Sequence, residues 1–271
     1  MSKMKIGLQV FSIRDVAEKD FKGAMLKVKE IGYDGVELAG LYGLSADEIR
    51  AVLDEVGLEA ISAHVGFSDL VRDLDGTVAA YKKIGVKFIA LPFMGEGDLP
   101  MSENWEKNLA FIMKISEKCR ENGITLLYHN HDTEYKKMPD GMYIEDYLFK
   151  ATGLDAMKPE FDTCWVRVAG EDPVGYIKKY AGYIQVVHLK DYVGSKTANM
   201  YELIGTDKKA DVTEAFKFRP VGYGVQNFPA IIKASEEVGA EWLIVEQDNS
   251  YETPSLEAAK MSRDYLKSIY R

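Results

Sequence analysis

Short apolar runs of β type alternate with longer amphipathic helical runs along the whole 271-residue chain, and this alternation constrains the fold more than any other feature. The strand-like runs are Lys5–Val10, Asp34–Leu38, Leu58–His64, Val86–Pro92, Ile124–Asn130, Lys158–Asp162, Tyr183–Leu189 and Glu241–Glu246. They are short and β-branched or apolar, as strands covered on both faces are. Helical periodicity predicts helices over 19–31, 45–56, 70–84, 102–121, 143–151, 172–180, 225–238 and 254–270. Ser45 and Glu48 have the spacing of a capping box, and Gly32, Gly57, Gly85, Gly123 and Gly239 stand where a helix stops and a strand begins. Eight such units fit a single (β/α)8 barrel, which takes about 250 residues. A doubly wound sheet alternates in the same way. The first strand, however, continues as Gly7-Leu-Gln-Val-Phe-Ser with no Gly-x-Gly-x-x-Gly, which weighs against the dinucleotide-binding version.

No linker or low-complexity stretch divides the chain, so residues 1–271 read as one domain. One insertion, at about 192–223, separates the seventh strand from its helix and is long enough for a functional lid. A net charge of −9 leaves no general basic footprint for nucleic acid. Cys119 and Cys164 are too few for a disulfide framework, and Cys164 reads as a small buried hydrophobe. The first residues lack a signal-peptide pattern and no run is long enough to span a bilayer. These features predict a soluble cytoplasmic protein with a small-molecule substrate and no membrane or nucleic-acid partner.

Each of the four histidines, His64, His129, His131 and His188, falls at the C-terminal end of a predicted strand, the catalytic rim of such a barrel. Glu37, Asp162 and Glu246 end strands two, six and eight, where an unpaired buried carboxylate is costly. Strand residues alternate between interior and helix layer. If His129, Asp162, His188 and Glu246 all face inward, four neighbouring strands each bring one N or O donor to a common point. Two imidazoles and two carboxylates suit a divalent cation such as Mn, Zn, Co, Fe or Mg. Parity also places His131 with His129, and Lys190 with His188.

In Gly35-Val-Glu-Leu, Ile61-Ser-Ala-His, His129-Asn-His-Asp, Phe161-Asp-Thr, Val187-His-Leu-Lys-Asp and Ile244-Val-Glu-Gln the chain resembles the sugar phosphate isomerase/epimerase superfamily, the xylose isomerase-like TIM barrels that include inosose dehydratases. The resemblance implies a divalent metal held by His129, Asp162, His188 and Glu246. The family's strand-five ligand is usually a Glu in Glu-Asn-His, whereas His129-Asn130-His131 stands here. Family epimerases exchange a proton between two metal-bound glutamates, so this chain brings a histidine to one half of that exchange; an imidazole can act as base or acid.

The resemblance assigns Glu37, His64 and His131 to substrate hydroxyls and Lys190 to acid–base work, with a pKa expected to be lowered by the metal and a histidine. Arg14 and Trp165, just past strand ends, are candidates for substrate contact. The expected chemistry is proton abstraction beside a carbonyl by Glu246 or Lys190, with His129 available as a second group. Return of the proton gives a sugar or keto-sugar isomerase or epimerase, the broader reading. Expulsion of a β-oxygen gives a lyase acting on a keto-sugar, keto-inositol or 3-keto-glycoside. An endonuclease IV-like nuclease is a minor alternative that the acidic charge disfavours. Gly194-Ser-Lys and Gly222-Tyr-Gly are generic candidates for an anion-binding loop. Barrels of this superfamily are often homo-oligomers.

Overall fold

A computed structural model describes residues 3–95, 97–197, 200, 215–251 and 253–270. Its strands are β1 (Lys5–Gln9), β2 (Gly35–Leu38), β3 (Glu59–His64), β4 (Phe88–Leu91), β5 (Thr125–His129), β6 (Lys158–Asp162), β7 (Val186–Leu189), β8 (Asp191–Gly194), β9 (Phe216–Arg219) and β10 (Trp242–Val245). β1 to β7 and β10 form a closed barrel of parallel neighbours. Closure runs from Lys5↔Trp242 to Leu8↔Val245, so the first strand pairs with the last and the doubly wound alternative is excluded.

Helices fill the predicted intervals, and the capping box of Ser45 and Glu48 is present. The helix expected over 70–84 is two helices, Phe67–Arg72 and Leu74–Ile84. Between them Asp73 is extended, and its carboxylate accepts the Gly76 N–H at 2.9 Å. A short acidic side chain that caps the second helix thereby interrupts the first.

The barrel floor is apolar: Ile61, Phe88, Ala90, Leu127, Val186, Trp242 and Ile244 pack as one cluster. The register between β2 and β3 slips after Val36, with Val36 opposite Ala60 and Glu37 opposite Ser62. Ile61 is the extra residue of this bulge and turns into the barrel. A side chain at Gly35 would stand 2.6 Å from the Glu59 carbonyl, so that position must be glycine, and one at Gly7 would stand 2.4 Å from the end of the Ile61 side chain, which would have to move. The bulge changes the parity of β3 beyond it and aims Ser62 and His64 at the interior.

The start of the insertion lies one residue earlier than expected, because β8 opens at Asp191 and pairs antiparallel with β9. Residues 198–199 and 201–214 of the insertion lie outside the described residues. Tyr192, Met200, Phe216 and Phe218 of the described part pack with Trp165 and Cys164. The Asp191 carboxylate accepts N–H bonds from Tyr192, Gly222, Gly224 and Gln226 at 2.8–3.1 Å. Gly222-Tyr-Gly therefore wraps a carboxylate of its own chain and is not an open anion loop. At Gly194-Ser-Lys the Ser195 N–H is bonded to the Ala215 carbonyl, which extends the ladder. Among the described residues no helix is long and apolar enough to cross a membrane.

Candidate metal and acid–base centre

The alternation that buries Leu127, Val186, Trp242 and Ile244 on the floor carries His129, His188 and Glu246 upward on the same faces of β5, β7 and β10. On β6 it brings two carboxylates inward, Glu160 and Asp162. Register then sets the neighbours, with His129 opposite Glu160 and Asp162 opposite His188. His129, Asp162, His188 and Glu246 each offer a donor atom within 4.8 Å of the others. His64, His129, Glu160 and His188 form a second group that meets the same limit.

The charged side chains stand in two layers. In the outer layer Lys190 Nζ lies 2.9 Å from Asp162 Oδ2, 2.9 Å from Glu246 Oε2 and 3.0 Å from Asp248 Oδ2. In the inner layer His64 Nε2 lies 3.0 Å from Glu37 Oε1 and 2.8 Å from Glu160 Oε1, while His188 Nε2 lies 2.8 and 3.1 Å from the same two atoms. His188 and His129 join the layers. His188 Nδ1 is 3.0 Å from Glu246 Oε2. His129 turns Nδ1 to Glu160 at 3.4 Å and Nε2 to Asp162 and Glu246 at 3.8 and 3.9 Å. Gln9 Nε2 donates to Glu37 at 2.8 Å and the Ser62 hydroxyl donates to its other oxygen.

Burial and neighbouring charge oppose each other here. Burial raises the Glu246 carboxyl, but Lys190 and His188 outweigh it and hold the group well below the usual carboxylate range. Glu37 behaves likewise: its burial is outweighed by His64 and His188, and it stays ionised. Burial lowers His64, yet Glu37 and Glu160 bring it up to about 10 and raise His188 well above the ordinary imidazole value. Burial together with the His188 and His64 charges pushes His129 well below it. His131 falls to about 3 through burial and the Lys190 charge. Burial raises Asp162, and raises Asp248 to about 6. The expected lowering of Lys190 is overturned: burial does lower it, but Asp162, Asp248 and Glu246 together raise it well above the ordinary lysine value.

A cavity of about 400 Å³ opens over the outer layer. His64, His129, His131, Lys190, Glu246 and Asp248 line one part of it, and Phe11, Ala39, Pro92 and Phe93 the rest. A larger cavity of about 870 Å³ lies at the opposite end of the barrel, between Lys3, Lys5, Glu236 and Trp242, away from every imidazole described above.

Three expectations for substrate contact are corrected. Arg14 is not on the cavity wall: its guanidinium donates to the Phe11 carbonyl at 2.7 Å and covers the Phe11 ring at 4.0 Å. Trp165 is fully buried and stands behind His131 and Lys190, with its ring 5.5 Å from the ammonium. Glu37 is fully buried below the cavity, its oxygens taken by Gln9, Ser62 and the two imidazoles. Sequence reasoning missed Glu160 and Asp248. Glu160 lies two residues before Asp162 on the same face of β6, and Asp248 two residues after Glu246, just past the end of β10, so the two-residue spacing that joined His131 to His129 finds both.

A closed parallel barrel with histidines and carboxylates gathered at the C-terminal ends of its strands defines a class of barrel enzymes. The chain belongs to the xylose isomerase-like TIM barrel family, whose model matches residues 25–269. It is 25% identical over 276 residues to the inosose dehydratase of Clostridium beijerinckii, covering 92% of this chain and 90% of that one. Among solved structures it resembles a sugar phosphate isomerase/epimerase from Parabacteroides distasonis, with a TM-score of 0.77, 20% identity, and 100% and 96% of the two chains covered. It also resembles a xylose isomerase-like TIM barrel protein from Mycobacterium smegmatis in complex with magnesium, with a TM-score of 0.68, 18% identity, and 100% and 98% covered.

Proposed function

We propose that the chain is a metal-assisted lyase that removes water, or another β-oxygen leaving group, from a keto-inositol or keto-sugar. The observation that carries this reading is the direct contact of an acid with a base on the cavity floor: Lys190 Nζ is 2.9 Å from Glu246 Oε2. The kinship with an inosose dehydratase along nearly the whole chain supports it. His129, Asp162, His188 and Glu246 fit a divalent cation, since Asp162 Oδ2 is buried without an aligned hydrogen bond and the donors are the N and O types such ions take. A cation bound there supplies Lewis-acid polarisation of a carbonyl.

The chain's own groups complete a proton cycle. The ionised Glu246 takes the proton from the carbon beside the substrate carbonyl. The β-carbon–oxygen bond then breaks, and the Lys190 ammonium gives the departing oxygen its proton, so hydroxide leaves as water. Glu246 now carries a proton and Lys190 is a neutral amine. Transfer across their 2.9 Å contact restores both, and the direction is downhill because Glu246 is the stronger acid of the two. His131, held neutral by burial and Lys190, lines the cavity beside Lys190. Phe11, Pro92 and Phe93 keep water from the reacting face.

An isomerase or epimerase reading has its own observation. Neutral His129 stands 3.9 Å from Glu246 and can take the carbon-bound proton as base, with the Lys190 ammonium returning one from another side. Both readings place a small carbohydrate in the cavity of a cytoplasmic enzyme. Incubation of the metal-loaded protein in D₂O with keto-inositols, keto-sugars and 3-keto-glycosides separates them. Loss of the β-oxygen substituent is the expected result. Deuterium at carbon without loss of that group makes the protein an isomerase, and inertness toward the whole panel overturns the enzymatic reading.

A further inference from the structure

We propose that the inner layer is a second divalent-cation site, made by His64, His129, Glu160 and His188 and lying deeper in the barrel than the outer set. Their donor atoms lie within 4.8 Å of one another. Glu160 Oε1 is 2.8 Å from His64 Nε2, 3.1 Å from His188 Nε2 and 3.4 Å from His129 Nδ1. Around an ion with bonds of about 2.1 Å, adjacent ligand atoms stand roughly 3.0–3.4 Å apart, so small shifts admit one.

Three atoms point to an occupant. His129 Nδ1 and Glu160 Oε2 are buried with no hydrogen bond, and His188 Nε2 is crowded by carboxylate oxygens at 2.8 and 3.1 Å. Buried polar atoms are seldom left so, and a cation at the centre satisfies both imidazole nitrogens together with the Glu160 carboxylate. Charge agrees with this assignment. Glu160 and Glu37 bring two negative charges to the same imidazoles, which a divalent ion balances with every imidazole neutral. The outer carboxylates differ, for they already face the Lys190 ammonium.

Three imidazole nitrogens and one carboxylate oxygen select Zn, Co or Fe over Mg or Ca. His64 and His129 line the cavity, which gives the ion its way in. His129 and His188 direct one ring nitrogen to each layer, so this site is separate from the outer set while sharing two rings with it.

The test uses the natural chain, freed of metal by a chelator, crystallised and soaked in Zn²⁺, with anomalous difference data collected at the zinc edge. The expected peak lies between Glu160, His64 and His188. A peak confined to Asp162 and Glu246, or no peak, overturns the proposal and leaves Glu160 to orient imidazoles. In solution, a chain carrying Asp162→Asn and Glu246→Gln is expected to keep one Co²⁺ with the intense visible bands of a low-coordinate, nitrogen-rich site. Adding Glu160→Gln is expected to weaken Co²⁺ binding more than about 100-fold. Absence of Co²⁺ from the double variant, or no effect of Glu160→Gln, also overturns it; circular dichroism verifies that each variant is folded. Neither measurement depends on turnover, so a failed lyase assay leaves this result standing.

Discussion

The two halves of the barrel rim are built for different work. Loops after β1, β2 and β4 bring Phe11, Ala39, Pro92 and Phe93 to the cavity, while β5, β7 and β10 and the residues just past them bring His129, His131, Lys190, Glu246 and Asp248. The first half lines the cavity with apolar side chains, and the second holds every candidate acid, base and outer ligand. His64 is the exception, an imidazole from the first half delivered by the bulge in β3. The lesson is that charge needs support from several adjacent strands. Lys190 is stable when buried only because β6 and β10 supply three carboxylates to it.

The sharpest way to break this division is to compare one substitution from each half. Glu246→Gln is expected to lower kcat by about 10²–10⁴, measured with the substrate that turns over. Next in size, Lys190→Met leaves three buried carboxylates without their counter-charge and is expected to cost about 3–5 kcal/mol, read from the urea midpoint. Adding Asp248→Asn should recover part of that loss; no recovery would mean that the ammonium is not what holds the carboxylates.

Stability against pH sharpens the place of His64. Its pKa is raised from 6.5 in the unfolded chain to about 10. A base whose folded pKa is raised contributes stability that is complete below the unfolded value and lost as pH climbs through the folded one. Chelated protein should therefore weaken between pH 6.5 and about 10, and His64→Gln should flatten that decline in urea melts. From the apolar half, Phe93→Ala is expected to raise KM about tenfold and leave kcat nearly unchanged. A loss of kcat as deep as that of Glu246→Gln would end the division of labour. Smallest of all, Arg14→Ala removes a cation–π contact worth about 0.5–1 kcal/mol behind Phe11, a few-fold change in KM.

The barrel was legible because its signals are local. Short apolar strand runs, helix-closing glycines and the capping box of Ser45 each act within a few residues. The convergence of His129, Asp162, His188 and Glu246 was legible too, since parity on parallel strands fixes which way a side chain points. What stayed hidden depends on contacts between segments far apart in the chain. The bulge that aims His64 follows from Gly7 and Gly35 making room for Ile61, and no single strand carries that information. The Lys190 pKa was misread because Asp162, Asp248 and Glu246 together outweigh its burial, and how close three carboxylates come to one ammonium is set by packing between strands. Arg14 and Trp165 were selected by position alone, and position does not tell a cavity wall from the layer behind it.

The central claim, that Glu246 and Lys190 act as one base–acid couple, is tested most directly by following two rates in D₂O with the same substrate: deuterium entry beside the carbonyl and departure of the β-oxygen. With the natural chain, departure should keep pace with proton removal and little deuterium should return to substrate. With Lys190→Met, provided it is folded and metal-loaded, exchange by Glu246 should persist while departure nearly stops. Equal loss of both rates, or departure undiminished without the lysine, would contradict the couple.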